Sequence, residues 1–249
     1  MYSLFILIIL IILILVCLNY IKFNENFNVN KKISVILLNY NRSHNLEKSL
    51  PILNNYNIID EIIVAHGHSK YYKEFKFSKV KNIKDFKNND IYGGGRRWFL
   101  IKYIKNDIVL FLDDDIIPSE KLINDSYNKL INNLNKNTIY GCIKRKCSKN
   151  GYFTSVNKNT YNSILTPFLL TQKHILKTYL DKGFKNHKNW IIKHKGNCED
   201  LGLNLFIRNH YNERPIFVEG NYKSLDITNG YSSKSNHYKI RNEFCKKYS

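Results

Sequence analysis

Four short strand-like runs, residues 33–38, 61–65, 79–83 and 108–112, alternate with segments of helical spacing, and this alternation leaves few folds open. Leu46, Leu50 and Leu53 recur at the spacing of one helix face, and residues 97–105 also read as helical. Strands separated by helices of ordinary length form sheets whose strands run mainly parallel and are covered on both faces. One α/β domain with a mainly parallel sheet is therefore the expectation. At 249 residues the chain has room for one such domain, and a hydrophobic share of 43% is enough to fill its core. No internal repeat is visible. In open sheets of this kind ligands lie beyond the carboxyl ends of the strands, so the polar clusters there carry the functional argument.

Residues 1–21 hold no charged side chain, and about 20 apolar residues suffice to cross a bilayer. This stretch is read as a membrane-spanning helix, followed by a tether at 22–31 and a folded body at 32–249. A cleaved signal peptide fits less well, because no basic segment opens it and no small-x-small site closes it. Lys22, Lys31 and Lys32 follow the stretch and no Lys or Arg precedes it, which by charge bias alone keeps the body in the cytoplasm. The formal charge of +19 raises nucleic acid as a partner. The lysines are scattered through an Asn-, Ile- and Tyr-rich chain rather than gathered on one element, so no nucleic-acid partner is expected.

Asp113, Asp114 and Asp115 directly follow the fourth apolar run. Two readings compete for them: a capped turn before a helix opened by Pro118, Ser119 and Glu120, or a site for a divalent cation that bridges phosphates. A second cluster, Gly196, Asn197, Cys198, Glu199 and Asp200, opens a segment rich in apolar residues. Helix capping explains it if it is taken alone. His237 and Arg241 lie four apart and share one face of a helix. Together with the acids they provide what a diphosphate leaving group needs, a bidentate guanidinium and an imidazole donor. Residues 93–95 are all glycine, but no Lys-Ser/Thr follows, so a P-loop is not supported. The 5 cysteines show no paired C-x-x-C spacing, which argues against structural zinc. No role is assigned to His66 or His68.

In this order, from the loop 39–42 through the basic segment 96–99, the acidic triplet and the segment 141–146 to residues 197–207, the chain resembles the exostosin-like glycosyltransferases of family 64. Gly230, Tyr231 and Ser232, with His237 and Arg241, complete the resemblance, which covers residues 33–248. It implies a GT-A fold, a nucleotide-sugar-binding domain of Rossmann-like type. It also implies transfer of an N-acetylhexosamine from a UDP-sugar to a glycan acceptor with retention of configuration. Asp115 is then expected to ligate Mn2+ or another divalent cation. Asn39, Arg42, Arg96, Asp113, Asp114 and His237 are expected at the nucleotide-sugar, Asp200 beside the anomeric carbon, and Arg241 on the departing UDP. The resemblance also implies a disulfide between Cys198 and Cys245, and a type II membrane protein with its body in an oxidising lumen. Glu199 stands where the family carries Asp, the interval from Gly230 to His237 is shorter, and residues 160–171 depart from the family pattern. An inverting enzyme of the same fold and a catalytically silent membrane-bound partner stay open as alternatives.

Overall fold

A computed structural model describes Ile14, residues 32–228, Gly230 and residues 234–249. The chain divides into two units, Met1–Lys32 and Ile33–Ser249. Ile14 and Lys32 apart, the first unit lies outside the described residues, and with it the expected anchor and tether. Among the described residues no helix is long and apolar enough to cross a membrane.

The second unit opens with the alternation that the apolar runs predict: β1 (Ile33–Asn39), α1 (Ser43–Asn55), β2 (Ile59–His66), β3 (Val80–Lys84) and α2 (Phe86–Tyr92). A 3-10 run, Gly93–Tyr103, then leads into β4 (Ile108–Leu112). The expected helix at 97–105 is thus a more tightly wound segment that begins at the glycines. β5 (Ile116–Pro118) follows, and α3 (Glu120–Ile131) is capped by Ser119, whose hydroxyl accepts from the Leu122 amide at 3.2 Å. Next come β6 (Ile139–Gly141), β7 (Lys144–Ser148), β8 (Gly151–Phe153), β9 (Ser163–Ile164) and β10 (Phe168–Gln172). The helical half comprises α4 (Lys173–Thr178), a π-helical turn at Tyr179–Gly183, α5 (Phe184–Lys193) and α6 (Glu199–Tyr211). β11 (Ile216–Phe217), β12 (Tyr222–Ser224) and α7 (His237–Tyr248) complete it.

Seven strands form the central sheet in the order β11-β6-β10-β4-β1-β2-β3. β1 runs parallel to both β2 and β4, and β2 to β3, while β10 alone runs antiparallel to its neighbours β4 and β6. The sheet is therefore mainly parallel, as expected, with one reversed strand inside it. Side chains alternate across the strands, so each face has its own core. Val35, Leu37, Val64, Leu110 and Leu112 meet α1 and α3 on one face. Ile36, Ile63, Val109, Phe111 and Leu169 meet Trp98, Ile175, Leu203 and Ile207 on the other. A smaller cluster of Cys147, Cys198, Leu201, Leu205, Ile240, Phe244 and Cys245 joins β7, α6 and α7.

Candidate active site

The carboxyl ends of β1 and β4 open onto a cleft of about 640 Å³, whose other wall is built from the amino-terminal ends of α6 and α7. Because β10 is reversed, its first residues lie beside the last of β4, and the Asp113 amide donates to the Pro167 carbonyl at 3.3 Å. That bond fixes the start of the acidic triplet. Arg42, from the loop after β1, donates through Nε to Asp114 Oδ2 at 3.2 Å, through Nη2 to Asp114 Oδ1, and through Nη1 to Asp115 Oδ2 at 3.1 Å. Burial opposes the guanidinium charge, but the three aspartates outweigh it and hold Arg42 above its ordinary pKa. Asp114 is the buried member, and desolvation pushes it up to about 6 against the pull of Arg42.

Asp113 and Asp115 keep 27% and 21% of their side chains exposed, against 8% for Asp114, and so present oxygens to the cleft. No group of three or more His, Cys, Asp or Glu side chains converges as a metal cage among the described residues. A small divalent ion needs none, since one or two carboxylates plus phosphate and water oxygens complete its shell. The oxygens of Asp113 and Asp115 form a hard donor set whose chemistry fits Mg2+ or Mn2+.

On the facing wall, Lys195, Gly196 and Cys198 all have positive φ, of 51°, 93° and 74°, and turn the chain from α5 into α6. A Cβ on Gly196 would lie 2.2 Å from the Gly94 amide nitrogen, so residues 93–95 and this turn pack backbone against backbone. The glycine run serves that approach. The turn delivers Glu199 and Asp200, both buried, to the cleft. Arg241 Nη2 donates to Asp200 Oδ1 at 2.9 Å and to Oδ2 at 2.8 Å, and Nη1 reaches Asn197 Oδ1 at 3.5 Å. His237, one turn earlier on α7, also lines the cleft; burial, reinforced by Arg241, holds its pKa down to about 4, so its imidazole is neutral near pH 7.

Two adjacent arginines divide their work. Arg96, 1% exposed, donates through Nη2 to the Ala65 and Asn39 carbonyls at 2.9 and 3.3 Å and through Nη1 to Asn89, with Asp85 3.4 Å from its Nε. Its guanidinium fastens the floor of the cleft. Arg97 donates to Asp113 Oδ1 at 2.9 Å and to the Gly94 carbonyl at 3.2 Å, and its Nε lies 3.5 Å from Glu199 Oε1. It ties the triplet to the start of α6. Glu199 also accepts from the Thr166 hydroxyl at 3.3 Å, and burial, with Asp200 beside it, pushes its carboxyl up to about 7. The sequence reading gave Arg97 no role; an arginine beside Arg96 is the only signal it left.

One expectation is corrected, and one expected site residue stands apart from the others. Asn39 does not line the cleft: it is buried, and its amide donates to Ser43 at 3.1 Å and meets His66 Nδ1 at 2.9 Å. As the last residue of β1, it pins that strand to β2 and α1. The expected Cys198 to Cys245 disulfide is replaced, because Cys245 is bonded to Cys147 and Cys198 is a buried free thiol. Cys147 on β7 faces α7 with its Cα 5.2 Å from that of Cys245, within disulfide reach. Asn41 and Tyr40 line the cleft near Arg42, and Tyr40 is 46% exposed. Tyr231 and Ser232 lie outside the described residues.

No curated protein matches the chain at the level of sequence. A family model does, over residues 33–249, and its span takes in both walls of the cleft. On that match the chain belongs to the glycosyl transferase family 64 domain family.

Proposed function

We propose that the cleft binds a UDP-sugar with a divalent cation and transfers the sugar, an N-acetylhexosamine, to a glycan acceptor with retention. The chain's membership of a glycosyltransferase family implies a nucleotide-sugar donor and a glycan acceptor. The observation that carries the finer reading is Arg97, which reaches Asp113 on one wall and Glu199 on the other. It joins an acid of the triplet to the start of α6 through one side chain, which supports a single site spanning both walls.

Each residue's task follows from its surroundings. Tyr40 offers an exposed ring against which a nucleobase can stack, and Arg42 orients the triplet. A bound divalent cation neutralises charge that develops on the departing diphosphate. His237, neutral and one helical turn from Arg241, donates a hydrogen bond to a phosphate oxygen, and Arg241 adds a fixed positive charge. Asp200, with both oxygens held by one nitrogen of Arg241, presents fixed negative charge where an oxocarbenium-like centre forms. A carboxylate on that face favours retention, either as nucleophile or as charge stabiliser. Residues 1–21 support attachment to a membrane, and the Cys147 to Cys245 bond supports a body that matures in an oxidising lumen.

The full-length chain in detergent, offered a panel of nucleotide-sugars with and without Mn2+, tests the reading. UDP release that needs the metal, and a product whose anomeric configuration matches the donor, are expected. Asp115→Ala should abolish release and weaken UDP binding in Mn2+ by about tenfold or more while leaving the melting temperature nearly unchanged, because Arg42 keeps its pairing with Asp114. Metal-independent release, or an inverted product, would sink it.

A further inference from the structure

The guanidinium carbon of Arg241 lies 4.7 Å from the ring centroid of Tyr152. The contact is built by the β7 and β8 hairpin. Cys147 and Tyr152 are directly paired across it, so both side chains leave the same face, the one turned toward α7. Cys147 reaches Cys245 there, and Tyr152 reaches Arg241, one helical turn earlier on the same helix. The Tyr152 amide donates to Asn242 Oδ1 at 3.1 Å. Gly151, at φ +121°, lets the turn come so near that a Cβ would lie 2.0 Å from that same oxygen. Disulfide, amide and ring thus brace three successive parts of one helix.

Arg241 Nε makes no hydrogen bond among the described residues, and the whole group is buried. A buried guanidinium with one nitrogen unbonded is free to tilt about its other contacts unless something holds its face. The electron-rich face of an aromatic ring attracts a desolvated cation and does so along a fixed direction. From this geometry we infer that Tyr152 is a positioning residue, which holds Arg241 against Asp200 so that both charges stand at the reacting centre. The inference rests on the reading of Asp200 and Arg241 as that centre. It adds a requirement to it: the hairpin must present an aromatic face, and apolar bulk alone is insufficient.

The test compares Tyr152→Phe with Tyr152→Leu in the full-length chain, with UDP-N-acetylglucosamine and UDP-N-acetylgalactosamine as donors. Phe keeps the ring and is expected to hold kcat for UDP release within about twofold. Leu keeps the bulk and loses the face, and kcat is expected to fall about tenfold, the rate equivalent of about 1.4 kcal/mol. UDP affinity should stay within about twofold in both. A residue that merely packs would give equal kcat values for Phe and Leu, and that result overturns the inference, as does a kcat loss matched by a loss of UDP binding. A melting-temperature cycle of Tyr152→Leu, Arg241→Lys and the double variant reports the contact without any donor. Non-additive shifts support it and additive shifts overturn it. If the unsubstituted chain releases UDP from neither donor, the transferase reading fails in its stated substrate and the melting cycle alone decides the contact.

Discussion

Asp200 and Arg241 are separated by 41 positions in the sequence and by 2.8 Å in space, where they form a buried ion pair. Asp200→Asn keeps the shape and removes the charge. In the proposed function the carboxylate acts on the sugar and not on the nucleotide, so turnover should fall by about 10²- to 10³-fold while UDP affinity stays nearly normal. Arg241→Ala should lose turnover and also diphosphate affinity, since its charge matches the leaving group. Both variants should melt lower, because half of a buried ion pair remains without its partner, at a cost of about 3 kcal/mol or more. Parallel UDP titrations, turnover rates and melting curves check the contrast; Asp200→Asn with full turnover would return residues 199 and 200 to helix capping. Acid clusters at a strand end and a helix start were legible in the sequence. The choice between Arg96 and Arg97 was not, because neighbouring residues on a tight turn face different ways and only the phase of the 3-10 run decides which one meets Asp113.

At the level of elements, β1, β2 and β4 were legible because largely apolar runs must be covered on both faces, β3 is a partly exposed edge strand of mixed polarity, and the boundaries of all four fall within a few residues of the expectation. The reversed direction of β10 was not legible, since an apolar strand reads the same from either end. That direction sets the cleft, for it brings Thr166 and Pro167 to the acids. The hairpin of β7 and β8 was equally hidden: Lys144, Arg145 and Lys146 give it a polar surface, and its purpose lies in the helix it braces. Cys245 had two buried partners within reach of α7, and spacing along the chain cannot choose between them. The bond to Cys147 closes a loop across 98 residues, for which chain-entropy reasoning gives roughly 4.7 kcal/mol as an upper figure. Replacing both cysteines by serine should therefore lower stability by about 2–4 kcal/mol in a denaturant titration. Peptide mapping without reductant should recover Cys147 linked to Cys245 and Cys198 as a free thiol.

Across the whole molecule, acids buried at the cleft make stability depend on pH in an unusual direction. Glu199 titrates at about 7 in the fold against 4.5 for the free group, so between those values the folded state holds a proton that the unfolded state has released. Its contribution is complete below about pH 4.5 and is lost as pH rises toward 7. Asp114, pushed up to about 6, acts in the same sense. His237 and His187, both held down to about 4, act in the opposite sense over much of this range, so the test is a difference: the melting temperature of unliganded Glu199→Gln should gain on that of the parent as pH rises from 4.5 to 7, and a constant difference would remove Glu199 as a source.

Every strand of the central sheet is complete by Phe217, while Arg241 and Cys245 belong to α7. A stop codon anywhere between those points therefore specifies a product with its full sheet and its acidic triplet. That product lacks the counter-charge of Asp200 and leaves Cys147 as an unpaired thiol. It also loses His237 from the cleft wall and the packing of Ile240 and Phe244, so errors late in the message are expected to yield a destabilised product without turnover.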